Sequence, residues 1–195
     1  MLTYIKRLGP NDCLSIIQLS KKLTVLMLLI SGQRGQVLHL LDIRNMVISD
    51  SRVSFSIGDL LKSFRPVSHL SELSFEAYAP DERLCVYAAI LHYLERTKDI
   101  RGQISRFFLT TKPPIKMASR DTLRRWTRDF MGAAGIDLTL FSPHSTRSAS
   151  SSKAALRLPF STILATVGWA RESTFAKFYH KPLGDHGQFA DAVLA

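Results

Sequence analysis

Between Ser15 and Ile30 the chain runs through good helix formers with no glycine or proline, and it stops at Ser31 and Gly32, which suit a helix end. The second half of this run, Leu23 to Ile30, is the most apolar stretch of the sequence. It is far shorter than the roughly 20 residues that a membrane span needs, and Lys21 and Lys22 stand directly before it. The run therefore predicts a core helix. At 195 residues and 21.9 kDa the chain is long enough for one substantial hydrophobic core, and 46% apolar against 22% charged residues is ordinary for a folded protein. The expectation is a single domain over residues 1–195.

Other elements follow from local signals. Val37, Leu38, Leu40 and Leu41 predict a second short helix packed on the first, which leaves Arg34 at a helix junction. Met46 to Ile48 and Val53 to Ile57 are β-rich runs flanking Asp50 and Ser51, a hairpin pattern, and Phe64 to Leu70 offers a third strand. Asp81, just after Pro80, is placed to cap a helix whose apolar positions Leu84, Val86, Tyr87, Ile90, Leu91 and Leu94 recur at helical spacing and which ends near Thr97. A surface loop runs through Gly102 and Pro113-Pro114, with Phe107 to Thr110 extended. Ser119 opens a helix to about Ala134, closed by Gly135. A helix carrying His144 and Arg147 follows Pro143, Pro159 separates it from Phe160 to Val167, and a last helix begins near Ser173. The fold class is mainly α with a small antiparallel β-sheet.

Charge narrows the partners. Twenty-six Lys and Arg against 16 Asp and Glu leave a formal +10, with a pI near 9.9, so a polyanion is favoured. Nucleic acid is the commonest, because each neutralised phosphate releases condensed counterions; an anionic membrane or a ribosomal surface satisfies the same arithmetic. Cys13 and Cys85 match no metal-ligand spacing and read as reduced thiols, so neither zinc nor another cofactor is expected. The start of the chain lacks a signal peptide's order of features, which points to an intracellular protein.

The sharpest chemical signal is Pro143-His144-Ser145-Thr146-Arg147. Residues three apart on a helix share a face, and an imidazole beside a guanidinium suits a phosphate: Arg offers a planar fork of donors and His moves a proton near neutral pH. By itself the pair also fits a plain surface His and Arg on a basic protein. Downstream, Val167-Gly168-Trp169 leads through Arg171 and Lys177 to Phe178-Tyr179-His180. Upstream, Ile30-Ser31-Gly32-Gln33-Arg34 follows the first helix, and Leu60-Leu61-Lys62 lies in the predicted sheet.

In this order the motifs resemble the catalytic domain of tyrosine recombinases, the phage integrase family, over about residues 15 to 182. The wording is similar to recombinases of eukaryotic mobile elements, the DIRS-like retroelements and cryptons, which would place the protein in a nucleus. The resemblance implies DNA cleavage and rejoining without metal or ATP. Tyr179 would attack the scissile phosphate to form a 3′-phosphotyrosine, Arg34 and Arg147 would clamp the non-bridging oxygens, and Lys62 would protonate the leaving 5′-oxygen. His144 would assist proton movement, and Trp169 would pack beneath the site with its indole N–H toward phosphate. Two positions depart from the family pattern: Val37 stands where an acidic residue is usual, and the Trp169 to Tyr179 segment is one residue longer than the commonest spacing.

Arg120, Arg124 and Arg128 fall four apart on one helix face with Arg125 beside them. Alone this is a solvated surface; in the recombinase frame the helix before the H-x-x-R box lies in the major groove, which makes these residues candidate contacts to double-stranded DNA. Full-length members carry a separate helical domain before the catalytic one, for which 195 residues leave no room. The family works as protomers assembled on two duplexes, a tetrameric synapse. Two other readings stay open: a domesticated DNA-binding module that no longer cuts, and a type IB topoisomerase-like enzyme.

Overall fold

The computed structural model describes residues 1–57 and 72–167. Its centre is a long helix, α2 (Ile16–Ser31), which follows a short α1 (Leu2–Arg7). The Ser15 side chain accepts from the Gln18 N–H while Gln18 reaches back to the Ser15 N–H, a reciprocal cap that satisfies two otherwise orphan donors. Gly32 closes the helix in the left-handed region at φ 60°. Leu19, Leu23, Leu26 and Met27 are almost wholly buried, as are Ser20, Lys22 and Thr24 on other faces of the helix. A helix buried around most of its circumference sits inside a fold, and α2 packs on α4 (Val86–Arg101), α5 (Arg120–Ala133) and α6 (Ser145–Ala154).

The short α3 (Gly35–Leu40) turns off α2 at Arg34 and lies on α5. A three-stranded antiparallel meander follows, β1 (Met46–Ile48), β2 (Arg52–Ser56) and β3 (Glu72–Glu76). Val53 faces Phe75 and Phe55 faces Leu73, and all four side chains are buried while their neighbours along the strands are exposed or half-exposed. This alternation gives the sheet one apolar face, which covers α4. From there an aromatic chain crosses the core: Phe55 meets Phe107 with ring centroids 5.3 Å apart, Phe107 meets Phe108 at 4.8 Å, and Phe108 meets Trp126 of α5 at 6.4 Å. Tyr93 packs beside it, and its hydroxyl accepts the Leu109 N–H at 2.9 Å, so the buried phenol is paired.

Among the described residues the predicted helices, the hairpin and the pairing of a small sheet with a helical body are present, and the last helix expected from near Ser173 lies outside those residues. The strand expected over Phe64 to Leu70 lies outside the described residues. Asp81 differs in role from the expectation: it caps a single turn at 82–84 by accepting the Arg83 N–H, and α4 begins only at Val86 with the Cys85 sulfur accepting the Ala88 N–H. Helical spacing of Leu84 with Val86 and Tyr87 cannot separate a turn from the helix that follows it. At the other end α4 continues to Arg101, because Arg101 folds back to donate to the carbonyls of Arg106 and Phe107 and so ties the helix end to the next segment.

Asp42 pins the connection between α3 and the sheet. Its carboxylate accepts from the Arg44 backbone and guanidinium and from the Ser105 hydroxyl at 2.9–3.0 Å, and these bonds, the Arg44 side chain first, lower its pKa to about 2. A carboxyl held below its unfolded value adds stability above that value and loses it as pH falls toward the folded one. The wild-type protein should therefore lose this contribution between about pH 4 and pH 2, the lower limit being the folded value. Asp42→Ala should destabilise by about 0.5–1.5 kcal/mol in urea unfolding at neutral pH, the range for lost hydrogen bonds whose donors can turn to water, and should flatten the acid limb of the stability profile.

Candidate functional site

Arg34 is placed by the helix junction that carries it. The junction after α2 is a tight one: Gly32 N–H donates to the Leu28 carbonyl at 3.0 Å, the Ser31 hydroxyl donates to Met27 at 2.6 Å, and that same hydroxyl accepts the Gln33 N–H at 3.2 Å. Arg34 follows in extended backbone as the N-cap of α3, and its side chain is exposed. Val37, three residues on, is buried against the core at 5% exposure. A carboxylate at that position would lose its water.

His144 stands at the N-cap of α6 and is exposed, whereas Arg147 is buried at 4% exposure. The Arg147 guanidinium donates from Nη2 to the carbonyl of Val167, the last residue of α7 (Phe160–Val167), at 3.1 Å. The preceding carbonyl, that of Thr166, accepts from the buried Gln33 side chain at 3.2 Å. Gly32 lies against the same turn, so close that a Cβ on it would stand 2.8 Å from Val167 Cγ2. The segment presenting Arg34 and the helix carrying Arg147 thus meet on one helix end. In sequence that end leads straight into Gly168-Trp169.

Lys62, Trp169 and Tyr179 lie outside the described residues. On charge alone Lys21, Lys22, Lys98, Lys112 and Lys116 would suit the role of Lys62 equally, and two of them have other work. Lys22 is buried and donates to Asn11 Oδ1 at 2.7 Å, and burial lowers its pKa. Lys21 pairs with Asp129 of α5 at 2.7 Å. Lys98, Lys112 and Lys116 are exposed.

The arginine stripe is on the surface. Leu123, Trp126, Thr127, Phe130 and Met131 bury one side of α5, and Arg120, Arg124, Arg125 and Arg128 stand exposed on the rest. Beside Arg125 a groove of about 540 Å³ opens between α2, α5 and the Thr110 to Pro114 loop, with Lys21, Lys112 and Asp129 among its lining residues. Asp129 is already paired with Lys21, so its charge is offset and the groove keeps a basic rim. Sequence reasoning missed Gln33, whose sole signal was its place before Arg34, and the pairing of Lys21 with Asp129, which joins residues 108 apart. Among the described residues no group of three or more His, Cys, Asp or Glu side chains is placed to hold a metal ion, and no helix is long and apolar enough to cross a membrane.

No protein-family model matches the sequence, and no curated protein matches it. Among solved structures the chain is similar to the XerH site-specific recombinase bound to difH substrate in a pre-cleavage complex, with a TM-score of 0.66 and 13% identity over 98% of this chain and 50% of that one. It is similar to XerH on a palindromic difH substrate in a post-cleavage complex, with a TM-score of 0.67 and 12% identity over 98% and 49% of the two chains. The XerA recombinase gives a TM-score of 0.62 and 17% identity over 92% and 59%. At these identities the likeness is one of fold: the chain has the tyrosine recombinase catalytic-domain fold, and it spans about half the length of the XerH chains.

The contact of Gly32 with α7 can be tested directly. Gly32→Ala puts a side chain into the left-handed region, a cost of about 1–2 kcal/mol, and also drives the new methyl into Val167. Urea unfolding should show a loss larger than the backbone cost alone, and Val167→Ala in the same chain should restore the steric part while leaving the backbone part.

Proposed function

We propose that this chain is the catalytic domain of a DNA strand-cleaving and rejoining enzyme of the tyrosine recombinase type. The observation that carries the reading is the convergence of the Arg34 segment and Arg147 on the end of α7, within a fold shared with site-specific recombinases. Two guanidinium-bearing segments held on one rigid element suit the two non-bridging oxygens of a single phosphodiester, whose charge grows as the pentacovalent transition state forms. The order of the sequence motifs supplies the remaining roles. Tyr179 attacks phosphorus, its proton passing toward His144; the bond to the 5′-oxygen breaks, Lys62 protonates that oxygen, and a 3′-phosphotyrosine remains. Attack by a 5′-hydroxyl reverses the steps, so the bond energy is kept and no ATP is consumed. The motif order assigns Trp169 the supporting role beneath the phosphate.

Double-stranded DNA is the partner, reached by Arg120, Arg124, Arg125 and Arg128 on α5. XerH binds its difH substrates with the same fold. Recombination between two duplexes would take a tetramer of such domains, and the motif wording favours a mobile element of a nuclear genome. A second reading, a module that binds DNA without cutting it, is favoured by Val37, which removes the usual acidic neighbour of Arg34.

A suicide duplex separates them. It carries a nick near the cleavage point so that the released fragment diffuses away, and such duplexes are tiled from the DNA flanking the coding sequence. The wild-type chain should trap a covalent adduct visible on a denaturing gel, and Tyr179→Phe should abolish it with DNA affinity unchanged. Binding with no adduct on any tile would establish the second reading instead. The arginine face has its own measurement: the slope of log Kobs against log salt should fall by about 0.9 for each phosphate contact removed by Arg120→Ala, Arg124→Ala or Arg128→Ala. Slopes equal to wild type in all three would take α5 out of the interface.

A further inference from the structure

We propose that Gln33 is a positioning residue for the cleavage centre, setting the segment that presents Arg34 in register with Arg147 through the end of α7. This rests on the strand-cleavage reading above and adds a residue to it.

The argument begins with a cost. Gln33 is 6% exposed, and burying a carboxamide is unfavourable unless it is hydrogen-bonded. An apolar side chain of similar length would fill the same space, so packing alone gives no reason for an amide next to an exposed arginine. The amide does have a partner of a particular kind. Two consecutive carbonyls of α7 receive donors from different parts of the fold. Thr166 receives Gln33 Nε2 at 3.2 Å, and Val167 receives Arg147 Nη2 at 3.1 Å. The same helix end therefore serves as the common reference for both arginine segments.

Gln33 is fixed from its other side as well. Its backbone N–H donates to the Ser31 hydroxyl, which is itself bonded to the Met27 carbonyl inside α2. Gly32 brings the junction close enough to α7 for the amide to reach, since any Cβ there would meet Val167. The Gln33 to Thr166 bond thus ties the backbone that carries Arg34 to the same segment of α7 that Arg147 holds. Misplacing a clamp by about 1 Å can cost on the order of 100-fold in rate without touching the reacting groups.

The test uses the full chain and the nicked suicide duplex on which wild type traps an adduct. Gln33→Met keeps length and volume but has no donor; single-turnover adduct formation should fall roughly 10- to 100-fold, with duplex affinity and melting temperature close to wild type. The loss should vanish in an Arg34→Lys background, because Gln33 acts through residue 34, and this non-additivity is a signature that general destabilisation does not produce. Gln33→Glu supplies a second variant. Its carboxylate cannot donate to Thr166 but its protonated form can, so its rate relative to wild type should recover as the pH is lowered. Wild-type rates for Gln33→Met, equal losses in both backgrounds, or a rate that falls only in step with DNA affinity and stability would each overturn the role of Gln33 and leave the cleavage reading standing. Absence of an adduct from wild type on a duplex that it binds would overturn the cleavage reading itself, and Gln33's role with it.

Discussion

Everything described in this fold is arranged around the burial of α2. Most of its apolar positions, Leu19, Leu23, Leu26 and Met27 among them, are buried, and the helix packs on α4, α5 and α6. Burial removes most of this helix from water, so each buried polar group on it needs a partner within the protein. Ser20, Thr24 and Ser31 donate to carbonyls one turn back at 2.6–2.7 Å, and Lys22 donates to Asn11. With the body of the helix locked in the core, its Gly32 end has a defined place, and Arg34 leaves the core there.

The elements that shield α2 are also those that carry the candidate chemistry. α5 buries Leu123, Trp126 and Phe130 inward and holds its arginines outward, so the stripe is mounted on a rigid part of the core. α6 does the same for Arg147, which turns in toward α7 while His144 faces out at the helix start. The Lys21 to Asp129 pair is partly exposed and contributes little to stability. Its effect is on the field: it offsets a carboxylate on a face that otherwise repels anions less than it attracts them.

Local signals in the chain were sufficient for most elements. Ser15 and Gly32 bracket α2, Ser119 and Gly135 bracket α5, and Pro159 precedes α7, because caps and breakers act within one turn. The start of α4 was misplaced for the same reason: Asp81 caps whatever turn follows it, and only packing decided that this turn would end at Leu84. The H-x-x-R pair and the Gly-x-Arg segment were visible as strings, and their chemistry follows from side-chain type. The use of Gln33 was not visible, since its meaning lies in a carbonyl 133 residues away.

What the amino-acid order determines alone is therefore periodic or adjacent: helical and strand spacing, caps, net charge, and the succession of Arg34, His144 and Arg147 along the chain. Tertiary structure decided which of these meet. That Arg147 turns inward, that Val37 is core, that Lys22 is spent on Asn11 and that the end of α7 receives both arginine segments are outcomes of packing. The physical reason is range. Backbone propensity and capping act over one turn of chain, whereas the burial of α2 brings together segments more than a hundred residues apart, and only that closure gives a buried amide or guanidinium its partner.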